Sequence, residues 1–210
     1  MIVYGPSASP YVRKVLAFAS EKGIEVESLP GNGPSPDPDF LAASPFRKIP
    51  AMKDGDFLLS DSSAIVAYME KLRPSPALIP TDAKSHARTI WFDEYADTIL
   101  TAATVRMFFN RVVAKMLGRP ADLDIADKAE REELPPCLDY LESVIPASGF
   151  LVGDHLTLAD LSVASPFANL QHLGIAPDPA KHPKTAAYVT SMLSRPCYAS
   201  LIAAEKAMFG

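Results

Sequence analysis

The 210 residues are 48% hydrophobic and 21% charged, enough apolar material for one large domain or two modest ones around a buried core. Twenty Lys and Arg against 25 Asp and Glu leave a formal charge of −5, and neither half carries a basic cluster that would follow a phosphate backbone, which argues against nucleic-acid binding as the main role. The opening MIVYGPSASP lacks a basic region and a long apolar run, and no stretch approaches the ~18 uninterrupted apolar residues of a membrane span, so the expectation is a cytoplasmic protein without secretory signal or membrane contact.

Ile2 to Tyr4 is a short apolar run ending at Gly-Pro, the pattern of a buried strand. From Ser9 the period changes. Pro10 suits a first helical position, Val12, Val15, Leu16 and Ala19 fall on one helical face, and the run closes at Gly23. Ile24 to Leu29 alternates like a second strand, Pro30 to Pro38 reads as a loop, and Asp37-Pro38 opens a short helix to Ala43. Ala51 to Lys53, Asp54-Gly55 and Phe57 to Leu59 form a predicted hairpin. A helix with Ile65, Tyr68, Met69 and Leu72 on one face then stops at Pro74.

Beyond Pro80 the strand signals vanish. Helical patterns run from Thr81 to about Leu117, from Ala121 to about Ile145, from Thr157 to about Leu173, from Pro183 to Ser194 and from Pro196 to Met208. Pro135-Pro136 must kink or split the second of these, because each ring removes a donor and crowds the preceding turn. The expected organisation is an α/β domain of order βαβαββα over residues 1–76, a linker and helix start at 77–85, and an all-α domain over 86–210.

Three local features of the first domain could carry chemistry. The loop Gly5 to Pro10 joins a strand end to a helix N-terminus, where unpaired N–H groups and a partial positive charge favour an anion. A serine hydroxyl there can donate to a thiolate and lower the thiol's pKa; Ser9 could equally cap the helix. In Lys48-Ile49-Pro50, a cis bond before the proline would leave the Ile49 backbone free to pair with an extended peptide, against the alternative of an ordinary trans turn proline. In Ser60-Asp61-Ser62-Ser63, caps for the following helix compete with a site in which Ser62 holds a carboxylate and Asp61 an ammonium group. Cys137 and Cys197 read as buried thiols in a reducing compartment. His86, His155, His172 and His182 have no ligand spacing, so no metal is expected.

The order Lys48-Ile49-Pro50-Ala51-Met52, Asp54-Gly55-Asp56, Leu59-Ser60-Asp61-Ser62-Ser63-Ala64-Ile65 resembles the glutathione-binding signature of the soluble glutathione S-transferase family. Gly153 to Asp160, with Thr157 and Asp160 as a capping box, and Arg195-Pro196 resemble that family's helical domain. The resemblance spans essentially the whole chain and points to the serine-type, bacterial-like members. It implies a thioredoxin-like domain followed by an all-helical one, glutathione as cosubstrate, a small hydrophobic electrophile as second substrate, and a homodimer. It implies Pro50 as a cis-proline, Ile49 as a backbone partner for glutathione, Lys48 near the glycyl carboxylate, and Asp61 and Ser62 at the γ-glutamyl end. Ser9 aligns with the serine that activates the thiol, with Tyr4 and Ser7 as alternatives, and Arg13 occupies the basic position that follows. The absence of a cysteine in the loop separates the chain from the family's cysteine-type classes. Trp91, Tyr95, Met107 and Phe108 are the candidate walls of the second-substrate pocket, although residues at helical spacing also serve as core. The expected activity is attack of an enzyme-held glutathione thiolate on that electrophile. A non-catalytic scaffold on the same fold, or a glutathione-dependent isomerase, dehalogenase or peroxidase, stands as the alternative.

Overall fold

The structure, a computed structural model, describes residues 1–31 and 37–209. Part of the loop expected at 30–38 therefore lies outside the described residues. Strand β1 (Ile2–Tyr4) leads through the Gly5 to Ser9 loop into α1 (Pro10–Lys22), and β2 (Glu27–Leu29) returns parallel to β1. Helix α2 (Pro38–Ala43), the hairpin β3 (Ala51–Asp54) and β4 (Phe57–Ser60), and α3 (Ser62–Leu72) complete the α/β part. The sheet order is β2-β1-β3-β4, with β3 antiparallel to β1 and to β4.

The second strand is shorter than its alternation suggests, because residues just after α1 are used to end that helix. Gly23 takes a left-handed conformation, and the N–H groups of Gly23 and Ile24 close onto the Ser20 and Ala19 carbonyls. Regular pairing begins only at Glu27.

Strand alternation sends neighbouring residues to opposite faces. Val3 and Met52 join Val12, Val15, Phe18, Ile65 and Met69 in the main core beneath α1 and α3, whereas Tyr4 and Ala51 pack with Phe40 and Ala43 beneath α2.

The remainder is helical. Residues 83–116 form one long helix, α4, in which Tyr95–Leu100 and Phe109–Val113 are π-helical turns. Residues 123–144 form α5, followed by α6 (Leu158–His172), α7 (Pro183–Leu193) and α8 (Pro196–Phe209). Pro135 and Pro136 do not split α5. A π turn at Ala129–Glu133 immediately precedes them, and its wider spacing accommodates two rings that an unbroken α-helix would reject. The main core is continuous across both halves, since Phe92, Leu100, Leu161, Phe167 and Tyr198 belong to the same cluster as Val3. No described helix is long and apolar enough to cross a membrane.

Candidate functional site

Two cavities open side by side where the C-terminal end of β1 meets α4. The first, about 420 Å³, lies between the Lys48 to Pro50 segment, the start of α3 and the first π turn of α4. The second, about 630 Å³, lies between the Ser9 loop, the far half of α4 and the end of α8. Tyr11, Lys48 and Ile49 line both, so the cavities communicate across these residues.

The Ile49–Pro50 peptide is cis. Among the described residues the Ile49 N–H and carbonyl take no hydrogen bond, whereas both main-chain groups of Lys48 are tied to the Ser44 hydroxyl at 2.9 and 2.7 Å. Ile49 thus follows the line of β3 with its backbone open to an extended peptide. The close approach of this segment to β1 depends on Gly5, whose φ is +129°. A Cβ there would stand 2.6 Å from Val12 Cγ2 and 3.0 Å from Ile49 Cβ.

At the start of α3, Asp61 does cap the helix: one carboxylate oxygen accepts from Ser63 N at 2.9 Å and from Ala64 N at 3.1 Å. Asp61 sits at φ +82°, a strained conformation for a residue with a side chain. Its cap leaves the Ser62 N–H at the helix tip without a partner among the described residues, beside the cavity, as a donor for an anion. The Ser62 hydroxyl is held by Asp97 Oδ2 at 3.3 Å.

Asp97 was not legible as a site residue. The π turn of α4 presents it and Thr98 to the first cavity. Beneath it lies a buried cluster. Lys14 Nζ bonds Asp97 at 2.7 Å and Asp93 at 2.8 Å, and Asp93 also accepts from the Ser63 and Ser162 hydroxyls at 2.6 and 2.5 Å. Burial pushes the Asp97 carboxyl above the usual range; Lys14 opposes this and Asp93 adds to it. The Tyr11 hydroxyl donates to the Asp97 carbonyl, fixing the wall between the two cavities.

The Ser9 loop is fastened from behind by α6 and α8. Ala8 O accepts from Asn169 Nδ2 at 2.9 Å and Pro10 O from the Ser165 hydroxyl at 2.6 Å, so the carbonyls on both sides of Ser9 are fixed. Arg13 is fully buried and binds Ser165 O, Asn169 Oδ1 and both oxygens of Glu205. Ser9 occupies the N-cap position of α1, yet its side chain makes no capping bond, and it lines the second cavity. Among the described residues its hydroxyl has no hydrogen-bond partner.

The two alternatives are placed elsewhere. Tyr4 is fully buried on the α2 face of the sheet against Phe40, because strand alternation turns it away from the loop; burial, with Asp37 and Asp39 nearby, raises its hydroxyl pKa. Ser7 lines neither cavity, and its hydroxyl is among the groups that lower the Glu205 carboxyl.

Of the four residues expected around an apolar substrate, only Phe108 lines the second cavity. Met107 points one helical step away into the core, Tyr95 is buried with its hydroxyl on the Cys137 carbonyl, and Trp91 lies on the outer part of α4 bonded to the Tyr140 hydroxyl. The apolar wall is instead built by Val105, Phe109, Val113, Met116 and Leu117 of α4 and its end, with Met208 and Phe209 of α8. The i, i+4 series Val105, Phe109, Val113, Leu117 was a readable signal. The contribution of α8 was not.

The capping box at the start of α6 is present. Asp160 accepts from Thr157 N at 3.0 Å and also from Leu151 N at 2.8 Å. Among the described residues, no three His, Cys, Asp or Glu side chains form a metal-binding group.

An open backbone strand and a helix tip facing one cavity, next to an apolar cavity walled by a helical domain, define a class: a two-domain protein that holds an extended peptide beside a hydrophobic small molecule. Comparison with known proteins narrows it. The family models described as glutathione S-transferase N-terminal domain and C-terminal domain match residues 3–77 and 95–196. The chain is 31% identical over 208 residues to a glutathione S-transferase of Hyoscyamus muticus, covering 96% of this chain and 97% of that protein. It is 31% identical to glutathione S-transferase 3 of Zea mays, with 96% and 93% covered. A solved structure of maize glutathione S-transferase I in complex with an atrazine glutathione conjugate superimposes with a TM-score of 0.82 at 27% identity, covering 98% and 97% of the two chains. The chain belongs to the glutathione S-transferase family.

Proposed function

We propose that this chain works as a serine-type glutathione transferase in which the Ser9 hydroxyl stabilises the glutathione thiolate. The observation that carries the reading is the Ser9 side chain, unclaimed by its own helix and opening on the cavity beside the free Ile49 backbone. The relatives named above come from plants, and the bacterial-like part of the expected class draws no support from them.

Glutathione lies along Ile49 with its cysteinyl main chain paired to that residue, as a short added strand after the cis-Pro50. The γ-glutamyl carboxylate meets the Ser62 N–H at the tip of α3 and, once the Ser62 hydroxyl turns from Asp97, that hydroxyl as well. The ammonium group meets the carboxylates of Asp61 and Asp97, and Lys48 neutralises the glycyl end. This alignment delivers the sulfur to the start of α1. A free thiol ionises near pH 8.5. A hydroxyl donor and a helix N-terminus that lower this by ~2 units supply ~2.7 kcal/mol and make thiolate the main form at neutral pH. With an aryl halide in the Phe108 cavity, sulfur attacks the carbon bearing the halogen, the S–C bond forms, the C–halogen bond breaks and halide leaves. The protein acts in the cytoplasm as a homodimer.

Calorimetric titration with glutathione, paired with turnover of 1-chloro-2,4-dinitrobenzene, tests the reading. Micromolar to millimolar binding and enzyme-dependent chloride release support it. Binding without turnover of any halide, epoxide, enone or hydroperoxide returns the scaffold reading.

A further inference from the structure

His172 lines neither cavity, yet it stands between the loop that carries Ser9 and the wall that would touch the electrophile. Its Nε2 bonds Glu205 Oε2 at 2.7 Å, and its side chain is 3% exposed. Glu205 is fully buried and grips Arg13 through both oxygens, at 2.7 and 3.0 Å. Arg13 bonds Asn169, and Asn169 bonds Ala8 O. On its other side the His172 ring meets Phe209 edge-on at 5.0 Å and Phe108 at 6.2 Å, and these two rings pack on each other at 5.4 Å. Phe108 and Phe209 both wall the second cavity.

We infer that His172 is a positioning residue for thiol activation, holding Glu205 so that Arg13 and the Ser7 to Pro10 loop keep Ser9 in place, and sensing the electrophile cavity through Phe108 and Phe209. The inference rests on the transferase reading above. Glu205 has more calls on it than a buried carboxylate can satisfy loosely. Burial would raise its carboxyl, but the hydrogen bonds from His172 and Arg13 outweigh that and hold it below the ordinary range. Without the His172 bond one carboxylate oxygen loses a charge-assisted or strong neutral donor, and Glu205 can turn about its remaining grip on Arg13. Every link from there to the Ala8 carbonyl is a direct hydrogen bond between groups at least partly buried, so a shift at Glu205 has little slack in which to dissipate. Displacement of a catalytic group by about 1 Å can cost on the order of a hundredfold in rate.

The test compares the wild type with His172→Phe, which keeps the ring stack and removes the bond, and His172→Gln, whose amide can still donate to Glu205. The readouts are the pKa of enzyme-bound glutathione by ultraviolet difference spectra, and kcat and KM with 1-chloro-2,4-dinitrobenzene. His172→Phe is expected to raise the bound thiol pKa by about half a unit or more and to lower kcat about fivefold or more, with KM for glutathione within about twofold. His172→Gln is expected to restore both to within about twofold. His172→Asn, too short to reach Glu205, carries the same prediction as the phenylalanine variant should that one fail to fold. A drop in melting temperature with the thiol pKa unmoved assigns His172 a packing role alone and overturns the inference. A wild type that leaves the thiol pKa at its free value sinks the transferase reading itself, a separate failure.

Discussion

Lys14 and Asp97 are joined by a 2.7 Å ion pair that connects the first turns of α1 to the π turn of α4 directly below the first cavity. One buried cation here serves two carboxylates, since Asp93 takes the same ammonium at 2.8 Å. Removing the cation leaves both acids without their counter-charge, at a typical cost of 3–5 kcal/mol. Lys14→Met is therefore expected to lower stability by about that amount in urea unfolding at pH 7. A change under about 1 kcal/mol would show that the cluster is held by its hydroxyl groups instead.

Asp97→Asn separates binding from folding. Lys14 keeps Asp93, so the fold survives, but the Ser62 hydroxyl loses its charged acceptor and the cavity loses a negative wall. The dissociation constant for glutathione should rise about tenfold, which is about 1.4 kcal/mol. Titration calorimetry reads this directly, and an unchanged constant would remove Asp97 from the site.

The apolar cavity offers a contrast between two aromatic residues far apart on one helix. Phe108→Ala should raise KM for an aryl halide severalfold, because Phe108 lines the cavity beside Ser9. Trp91→Ala, on the outer part of α4, should leave that constant unchanged. The reverse order would place the second substrate elsewhere.

Much of this was legible in the residues. The order of strands and helices up to Leu72 follows from Pro10, Gly23 and Asp54-Gly55, each of which acts through its own backbone geometry. Lys48, Ile49, Pro50, Asp61 and Ser62 belong to one local stretch of sequence, and the structure brings them to one cavity. What stayed hidden is non-local. Nothing local to α1 accounts for the burial of Arg13 and Lys14, and only the arrival of Glu205, Asp93 and Asp97 from distant helices explains it. Trp91, Tyr95 and Met107 share a helix with Phe108, but the π turn at Tyr95–Leu100 shifts the helix face between Trp91 and the stripe that meets the cavity.

Asp160 gives a pH signature away from the site. Burial raises its carboxyl to about 6 from 3.8, against the opposing hydrogen bonds from Leu151, Thr157 and Tyr188. The folded state then holds this proton more tightly than the unfolded chain. The stability it contributes is full below about pH 4, falls as pH rises through 6, and is constant above, a total of about 3 kcal/mol. Unfolding free energies of the wild type relative to Asp160→Asn, measured between pH 4.5 and 7.5, should decline over that window. A difference that grows with pH would mean that the backbone donors win and the carboxylate is the preferred form.

The account depends most directly on the ionisation of bound glutathione. Ultraviolet difference titration of the wild-type complex should give a thiol pKa about 2 units below the free value near 8.5, and Ser9→Ala should return it by more than 1 unit while glutathione still binds within about twofold. A wild-type value near 8.5, or a lowered value that persists in Ser9→Ala, contradicts the role assigned to this hydroxyl.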